Sequence, residues 1–358
     1  MMPDYDIIVV GAGVASAAAL LALRNAGRKV AVLAPPPTQR FKIGETLAPA
    51  ANQELSLLGL DVAQLNQFAH PGHSKFSAWG DGQLRESYQW EQGQQAGWYL
   101  DRLAFERWLW TQAEKTTHQR YLSAVTRSKW QGTHWQLTLK EGMKVSARWV
   151  LDGSGRSATV LRHHTQRCRR DKLVCCYCLL PQTDLSIAPT IATLVEPTPN
   201  GWCYSVVLPN QQLLVGYFTD ADLLPAKLRQ ETSSWQTLLA TALYTHRRIT
   251  SAGYAWPKTG RVVDAGTVFA NELVKHQLIG IGDAAASFDP LSSHGITTAL
   301  WSGRRAAAAL LESNESQAAL HQYTQDFKLG ITTYWQTRTD TYRQERRFGN
   351  GVFWRRRQ

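Results

Sequence analysis

The 358-residue sequence is poor in cysteine and methionine, and its acidic residues are outnumbered by basic ones. It contains five cysteines and three methionines, and 39 lysines and arginines face 28 aspartates and glutamates. The cysteine count is odd, and four of the five cysteines fall within residues 168–178. Their spacing matches no zinc-binding pattern, so we expect buried free thiols in a reducing compartment and no metal site.

Long apolar runs are also missing. No window holds 18 or more apolar residues, and residues 1–4 lead directly into the first apolar run without a charged-then-apolar leader. We therefore predict a cytoplasmic protein with no membrane association. Internal repeats and low-complexity linkers are absent too, and the length favours two domains or one domain with a large insertion.

The formal net charge of +11 suits an acidic partner or a polyanion. No nucleic-acid-binding motif accompanies the charge, so nucleic acid is not predicted as a partner. Arginines cluster at residues 167–170, 346–347 and 355–357. These clusters predict a solvated basic face and tail; docking of an acidic protein surface is the alternative.

Residues 5–20 carry the strongest local pattern in the chain. Residues 7–10 are an apolar run typical of a buried parallel strand, Gly11 and Gly13 follow, and residues 14–25 read as an alanine-rich helix. Ser16 stands where the third glycine of the G-x-G-x-x-G fingerprint usually lies. A second predicted strand at residues 29–33 completes a unit that holds a diphosphate at the helix N-terminus.

The end of that second strand departs from the usual dinucleotide fold. Such folds normally place aspartate or glutamate there to bind the ribose hydroxyls, about 20 residues beyond the glycines. This sequence has Ala34 instead, so the adenosine ribose must be held in another way. The three prolines at 35–37 then force an irregular loop.

The rest of the chain alternates between two kinds of pattern. Short alternating runs in residues 73–100 and 172–219 predict antiparallel strands, and residues 126–140 with 144–150 predict a hairpin. Residues 278–283 return to a buried strand, and a long helix is expected from about residue 295 to 311. Asp283 ends that strand and is well placed to accept hydrogen bonds from sugar-like hydroxyls. The helix amides at Gly295 are placed to stabilise negative charge on a ring carbonyl.

Three motifs in order resemble a known superfamily. Residues 11–13, residues 152–156, and residues 282–285 followed by Asp289, Pro290 and Gly295 look like the fingerprints of FAD-dependent monooxygenases, the group of p-hydroxybenzoate hydroxylase and the flavin-dependent halogenases. Residues 43–47, 100–105 and 289–296 resemble the halogenase-related branch. Within it, the chain is similar to the accessory flavoproteins that mature cysteine tryptophylquinone amino-acid oxidases such as glycine and lysine oxidases.

The resemblance implies an α/β fold: a Rossmann-like FAD-binding domain of parallel strands and helices, with an inserted antiparallel β-sheet substrate domain. The FAD-binding domain is discontinuous, over residues 1–72, 101–160 and 261–312. The substrate domain covers residues 73–100 and 161–260, and residues 313–358 form a C-terminal helical segment with a basic tail.

The resemblance also implies non-covalent FAD as the cofactor. The residues expected to contact it are Gly11, Gly13, Val14 and Ala15 at the diphosphate, Arg102 near the flavin, Asp283 at the ribityl chain, and Pro290, Gly295 and Ile296 at the pyrimidine edge. Reduced flavin traps O2 as a C4a-hydroperoxide in such enzymes, and one oxygen passes to the substrate. No second dinucleotide motif is present, so the reductant is NAD(P)H bound transiently or a separate reductase.

Three side chains are candidates for acid or base catalysis, each with a structural alternative. Glu45 either lies near the flavin ring or favours a helix N-terminus. Asp289 either acts on the substrate or shapes the turn before Pro290. His294 either faces the ring or caps the helix at Gly295.

One feature of tryptophan halogenases is missing. Their Trp-x-Trp-x-Ile-Pro signature has no counterpart, and the nearest stretch is residues 201–209. Lys75 lies in roughly the region of the halogenase lysine, but its local pattern favours an ordinary lysine at a strand edge. Halogenation is therefore disfavoured.

The leading hypothesis is a monomeric flavin monooxygenase that hydroxylates a tryptophan in the precursor of a quinoprotein amino-acid oxidase. A hydroxylase or halogenase of small aromatics is the second hypothesis. The third is a non-catalytic flavin-binding assembly factor that holds the precursor without oxidising it.

Overall fold

A computed structural model describes residues 2–88, 96–313 and 317–358 of the chain. Trp90, one of the tryptophans that the sequence places outside obvious core runs, lies outside these residues. No helix in the described residues combines the length and the apolar character that crossing a bilayer requires.

The first strands are β1 (Tyr5–Val10), β2 (Val30–Leu33), β3 (Thr46–Leu47), β4 (Ala69–Gly72), β5 (Ser74–Ser77), β6 (Arg85–Tyr88) and β7 (Gly97–Leu100). They are followed by β8 (Gln119–Tyr121), β9 (Val125–Trp130), β10 (Trp135–Leu139), β11 (Lys144–Asp152), β12 (Arg167–Arg169), β13 (Leu173–Leu180) and β14 (Thr193–Thr198). The last strands are β15 (Gly201–Val207), β16 (Leu213–Asp220), β17 (Arg261–Asp264), β18 (Val268–Ala270), β19 (Val274–Lys275), β20 (Leu278–Gly280) and β21 (Ala286–Ser287). The helices are α1 (Val14–Ala22), α2 (Ala50–Leu57), α3 (Arg102–Ala113), α4 (Thr232–Leu239), α5 (Leu243–Ser251), α6 (Gly295–Glu312), α7 (Ala318–Gln344) and α8 (Val352–Arg355).

The chain divides into two compact units. Unit 1 comprises Met1–Gln64, Arg102–Arg169 and Val268–Thr332, and unit 2 comprises Leu65–Asp101, Arg170–Thr267 and Thr333–Gln358. These boundaries differ from the predicted domains in that residues 65–72 and 261–267 fall in unit 2 and residues 161–169 in unit 1, where Arg167–Arg169 pairs as β12 with β18. Residues 313–358 are not a separate body, because α7 has residues in both units.

Unit 1 is built on an eight-stranded sheet whose central order is β19-β20-β11-β1-β2-β8. β1 pairs in parallel with β11 and β2, and β11 pairs in parallel with β20. Residues 7–10 of β1 are buried, as expected for a strand covered on both faces. The predicted parallel sheet and the α/β fold class are confirmed.

The predicted hairpin over residues 126–150 is wrong in one respect. The structure has three antiparallel strands there, β9, β10 and β11, rather than two. The extra turn falls at residues 131–134, where Gly132 has a φ of +87° and the Gln131 amide bonds the His134 carbonyl. A glycine in the left-handed region ends the first strand. The predicted strand over residues 126–140 continues across this glycine and is therefore too long.

Unit 2 contains a seven-stranded sheet of order β17-β13-β16-β15-β14-β5-β6. Its pairs are antiparallel except for β14 and β5, which run in parallel. Cys176, Cys178 and Cys203 form one core with Trp235 and Leu239 of α4.

The cysteines of that core are free thiols, as the spacing predicted. Burial raises the pKa of the Cys176 thiol to about 11 and that of Cys203 well above its ordinary value. Both therefore remain protonated and unreactive at neutral pH. Cys168, in β12 of unit 1, is only partly buried.

The C-terminal residues are packed into unit 2, which corrects the prediction of a solvated basic tail. Phe353 and Trp354 are fully buried, and Arg357 is only 3% exposed. The Arg357 guanidinium donates two hydrogen bonds to Asp220, at 2.6 and 3.2 Å. Trp354 Nε1 donates to the Thr198 carbonyl at 3.0 Å. These partners lie more than 130 residues upstream, so no local pattern reveals them.

Several tryptophans in unit 2 serve packing. Trp79 contacts the rings of Trp202, Tyr342 and Trp354 at centroid distances of 5.5–6.5 Å. Trp202 stacks on Phe218 at 4.0 Å, and Trp98 is buried. Fourteen tryptophans in one chain suit either packing against wide sheets or an aromatic-lined pocket, and these contacts favour packing.

Helices α1 and α6 touch at Gly303, which gives the first prediction. A Cβ added at Gly303 would lie 2.2 Å from the Ala15 carbonyl oxygen and 3.0 Å from Ala18 Cβ. We expect Gly303→Ala to lower the free energy of unfolding by about 2 to 3 kcal/mol, because the helices must move apart.

Gly330 on α7 is the matched control, since a Cβ there meets nothing within 4 Å. Gly330→Ala should raise stability by up to about 1 kcal/mol through helix propensity. Chemical denaturation of both variants measures the difference. Equal effects would contradict the close packing at Gly303.

Asp220 supports a prediction about pH. Its burial alone would raise the pKa of its carboxyl, but hydrogen bonds from Arg357 and Arg356 outweigh burial and lower it. A carboxylate with a depressed pKa stabilises the fold fully above its unfolded pKa, about 4, and loses that contribution as the pH falls through the folded value. Asp220→Asn should therefore cost about 3 kcal/mol at pH 7, and the difference from wild type should shrink below pH 4.

Asp222 pairs with Arg356 at the surface and provides the control. Asp222→Asn should change stability little, because exposed pairs are screened by water. Urea unfolding from pH 3 to pH 8 measures both variants. A pH-independent deficit in Asp220→Asn would show that its ion pairs do not carry the effect.

Candidate functional site

The three glycine motifs meet because they follow neighbouring strands of one sheet. Gly11 follows β1, Gly153 follows β11 and Gly282 follows β20. Gly11 has a φ of +97°, and a Cβ there would lie 2.5 Å from the Gly153 carbonyl oxygen. Only glycine fits this contact, so the first two motifs support each other directly.

Asp152 fixes the second motif. Its carboxylate is fully buried and accepts four hydrogen bonds: from the Ser154 amide and hydroxyl at 3.1 and 2.6 Å, and from the Val160 and Leu161 amides at 2.8 and 2.7 Å. The Ser16 hydroxyl adds a bond to the Gly153 carbonyl at 3.4 Å. Asp152 therefore shapes the loop rather than facing a ligand.

The N-terminus of α1 is open to an anion. Gly13 occupies the N-cap position, no side chain caps the helix, and its first turn holds no acidic residue. A Cβ at Gly13 would meet nothing within 4 Å. The side chains of Val14 and Ala15 are buried, so these residues offer backbone amides. Uncapped first-turn amides beside free space are the usual setting for a bound phosphate.

The N-terminus of α6 has the same character. His294 is its N-cap residue without a side-chain cap bond, the first turn has no acidic residue, and a Cβ at Gly295 would meet nothing within 4 Å. Ile296 is buried against the protein, whereas His294 and Gly295 are exposed. This helix end too has amides available to a negatively charged group.

Gly282 connects the two helices. A Cβ there would lie 2.8 Å from Ala15 Cβ and 3.7 Å from Ala299 Cβ, and its amide donates to the Ser302 hydroxyl at 2.9 Å. The structure thus brings the stretch after β1 and the stretch after β20 together, as the sequence predicted.

Asp283 follows Gly282 and lies against two arginines. Its Oδ2 is 3.7 Å from Arg156 Nε, and its side chain stays 40% exposed. Arg167 donates to the backbone carbonyls of Asp283 and Arg156 at 3.0 and 2.9 Å. Burial lowers the pKa of Arg167. The arginines hold Asp283 in place while leaving part of its side chain accessible to a ligand.

Arg102 organises the loop that carries Glu45. Its Nη1 donates to the Gly44 carbonyl at 2.7 Å and its Nε to Glu106 at 2.9 Å. Burial alone would raise the pKa of Glu106, but Arg102 and Lys42 outweigh burial and lower it. Gly44 has a φ of +105°, and its amide donates to Glu45 Oε2 at 2.9 Å. Glu45 is 2% exposed.

The candidates near the start of α6 differ in setting. Asp289 is fully buried, and its Oδ1 accepts the Leu291 amide at 3.0 Å, so it shapes the turn that begins at the exposed Pro290. That contact matches the structural alternative stated for Asp289. His294 is exposed at the helix start. The catalytic roles of Glu45, Asp289 and His294 remain predictions.

Two functional supports were not singled out from the sequence. Arg167 belongs to a cluster whose pattern predicts a solvated basic face, and Ser302 lies within a helix and belongs to no recognisable motif. The only available signal for Ser302 was a small polar residue beside Gly303 on a helix that is apolar at its core-facing positions.

FAD fits these residues on the geometry of unit 1. The open helix end at Gly13 suits its diphosphate, and the open helix end at Gly295 suits the electronegative edge of its pyrimidine ring. Asp283 offers a partly exposed carboxylate to a hydroxylated chain. No group of three or more metal-ligating side chains occurs among the described residues.

Comparison with known proteins identifies the family of the chain. Residues 83–358 match the family described as tryptophan halogenase. The putative FAD-dependent oxidoreductase LodB of Marinomonas mediterranea is 27% identical over 99% of this chain and 97% of its own length. The predicted resemblance to flavin-dependent monooxygenases and halogenases is confirmed.

Two solved structures share the fold. The myxobacterial chondrochloren halogenase CndH aligns over 99% of this chain and 86% of its own with a TM-score of 0.86 and 18% identity. The peptidyl tryptophan dihydroxylase QhpG, described as essential for tryptophylquinone cofactor biogenesis, aligns over 100% of this chain and 79% of its own with a TM-score of 0.76 and 24% identity.

The role of Arg102 gives a prediction about cofactor binding. In Arg102→Met the Gly44 carbonyl and the Glu106 carboxylate lose a charged partner, so the loop before Glu45 loosens. We expect FAD to bind about tenfold more weakly, in line with the loss of one charge-assisted hydrogen bond. Titration of flavin fluorescence with apoprotein measures the affinity independently of turnover.

Arg107→Met on the exposed face of the same helix is the control and should bind FAD like the wild type. If both variants bind FAD with equal affinity, Arg102 does not contribute to FAD binding.

Proposed function

The chain belongs to the tryptophan halogenase family, and on that premise we propose that it is an FAD-dependent monooxygenase acting on a tryptophan side chain of a protein. The substrate in this proposal is the precursor of a quinoprotein amino-acid oxidase. Hydroxylation of its indole is a step towards a cysteine tryptophylquinone cofactor.

One observation of the structure carries the proposal. Two uncapped helix N-termini, at Gly13 and Gly295, belong to helices that pack against each other beside Gly282. A flavin dinucleotide has negative character at two separate places, the diphosphate and the pyrimidine edge. The two helix ends match these two places.

The choice of substrate is supported by the relatives. QhpG acts on a peptidyl tryptophan, and its fold covers the whole of this chain. LodB matches nearly end to end in both proteins. The Trp-x-Trp-x-Ile-Pro signature of tryptophan halogenases is absent from this chain. Together these features favour oxygenation of a protein tryptophan over halogenation of a free one.

Bound FAD supplies electron transfer and oxygen activation, and the residues of the chain supply binding and orientation. The α1 amides hold the diphosphate, and Asp283 accepts hydrogen bonds from the ribityl hydroxyls. The α6 amides at Gly295 and Ile296 stabilise negative charge at the ring edge. Arg102 keeps the Gly44 loop in place.

In our proposal two side chains assist the reaction, His294 at the start of α6 and Glu45 in the loop after Gly44. The exposed His294 exchanges a proton with solvent at the start of α6. Glu45, buried and bonded to the Gly44 amide, orients the groups around it. In each hydroxylation one oxygen atom of O2 enters the indole and the other leaves as water, with two electrons from NAD(P)H or a reductase.

The direct test incubates the FAD-loaded protein with the unmodified precursor, a reductant and O2. We expect one peptide of the precursor to gain the mass of one or more oxygen atoms at a tryptophan, as located by tandem mass spectrometry. Labelled O2 should supply the added oxygen. A precursor in which that tryptophan is replaced by phenylalanine is the control and should stay unmodified.

A stable complex without a mass change would favour the flavin-binding assembly factor instead. Modification of free indoles or phenols with no effect on the precursor would favour the small-molecule enzyme.

Halogenation is the second candidate, because the chain matches the tryptophan halogenase family. The side chain of Lys75 on β5 is exposed, yet the surrounding protein desolvates the ammonium enough to lower its pKa. A halogenation reaction would depend on halide, and Lys75→Met tests whether Lys75 serves it, because the variant would then lose the halide-dependent product. Under the leading proposal no product depends on halide.

A further inference from the structure

Strands β9, β10 and β11 of unit 1 expose one face that carries four basic side chains. Residues paired directly across antiparallel strands share a face of the sheet, and so do residues two apart along a strand. By the register of these strands, Arg127 and Lys129 of β9 lie on the same face as Lys144 and Arg148 of β11. All four side chains are exposed, whereas Trp135 on the opposite face is buried.

The four cations are close enough to act together. Thr138 of β10 pairs with Arg127 on one side and with Lys144 on the other, so these two cations lie two strands apart, about 10 Å. Lys144 and Arg148 are four residues apart on one strand, about 13 Å. These distances are comparable to the Debye length in physiological salt. An approaching charge therefore senses the face as one positive patch.

The charges of this face are not paired within the described part of the chain. None of the four side chains forms an ion pair or a hydrogen bond within residues 2–88, 96–313 and 317–358. Two carboxylates border the face, but both are bonded to serines. Asp4 accepts the Ser146 amide and hydroxyl at 2.8 and 2.7 Å, and Glu141 accepts the Ser123 hydroxyl. Because clustered like charges repel each other and lower stability, the fold alone gives no reason for the cluster.

The composition of the face indicates the class of its partner. Its other outward residues, all within the described strands, are Gln136, Thr138 and Ser146, which are polar and uncharged. These residues provide no aromatic ring on which a nucleic-acid base could stack and no apolar side chain that could enter a lipid bilayer. Cations interspersed with polar side chains match the carboxylates of an acidic protein surface.

We propose that this basic face docks an acidic surface of the protein substrate, the precursor of the quinoprotein oxidase. The inference rests on the function proposed above. β11 leads from the face into the candidate site, because Arg148 lies four residues, about 13 Å, before Asp152 on the same strand. A protein held on the face is therefore close to the loop that follows Asp152. Exposed charges act at long range, so they chiefly raise the rate of association.

The test measures the association rate constant of the FAD-loaded full-length protein with the unmodified, fluorescently labelled precursor by stopped-flow. In Arg127→Glu/Lys144→Glu the rate constant should fall at least about tenfold at low salt. The difference from the wild type should shrink to about twofold or less in about 1 M salt, where the Debye length is only about 3 Å. Arg127→Gln/Lys144→Gln removes the charge without reversing it and should give an intermediate rate constant.

Arg107→Glu/Lys328→Glu is the matched control. It makes the same change in net charge at exposed positions on helices α3 and α7 of unit 1. Its association rate constant should fall much less than that of Arg127→Glu/Lys144→Glu, because the two charges lie outside the basic face.

The outcomes separate the docking face from the proposed function. Oxygenation of the precursor with equal association rate constants in all variants overturns the docking face alone. Binding that depends on Arg127 and Lys144 without any gain of oxygen overturns the proposed function alone. The docking face is also overturned if the wild type does not bind the precursor, or if duplex DNA or vesicles of anionic lipid bind more tightly than the precursor and lose that binding in Arg127→Glu/Lys144→Glu.

Discussion

The site in unit 1 depends on the close approach of α1 and α6. Gly303 lets the backbone of α6 reach the Ala15 carbonyl, and Gly282 lets the turn after β20 contact the Ala15 side chain. Any side chain at either position would separate the helices, and the two open helix ends with them. Because a cofactor with two negative regions needs both ends at a fixed spacing, we propose that this packing constraint contributes to the affinity for flavin alongside the charged side chain of Arg102.

Uncapped N-termini lower the stability of helices α1 and α6, and hydrogen bonds elsewhere in unit 1 offset this loss. Neither α1 nor α6 has a side-chain cap or an acidic residue in its first turn, although such residues stabilise helices. The loops around them are correspondingly well bonded: Asp152 satisfies four donors, and Arg102 bridges Gly44 and Glu106. The usual capping of a helix N-terminus is absent where we expect a ligand, while several hydrogen bonds hold the loops around it. This combination is typical of functional sites.

Local patterns in the sequence predicted the elements of unit 1 well, because β1, α1 and α6 each combine an apolar run with a glycine signal. The same reasoning failed where distant residues decide. The arginines at the C-terminus look like a solvated tail until Asp220, 137 residues away from Arg357, is seen beneath them. Gly132 lies in the turn after β9, but one glycine inside an alternating run does not by itself predict a turn. For Asp289 the difficulty is different. The sequence shows its motif, but only the hydrogen bond from the Leu291 amide indicates that the side chain shapes a turn rather than acts in catalysis.

The ion-paired arginines of residues 338–357 also change the electrostatic argument for a protein substrate. Arg338, Arg356 and Arg357 form ion pairs with Asp171, Asp220 and Asp222, so much of the C-terminal charge is neutralised within unit 2. Other arginines of that unit are exposed at the surface: Arg229, Arg247 and Arg261. An acidic protein surface would be attracted chiefly to such residues, because a charge already paired at short range contributes little field to an approaching partner. The paired arginines therefore contribute little to the attraction of an acidic partner, whereas the exposed Arg346 and Arg355 of the same segment are available for it.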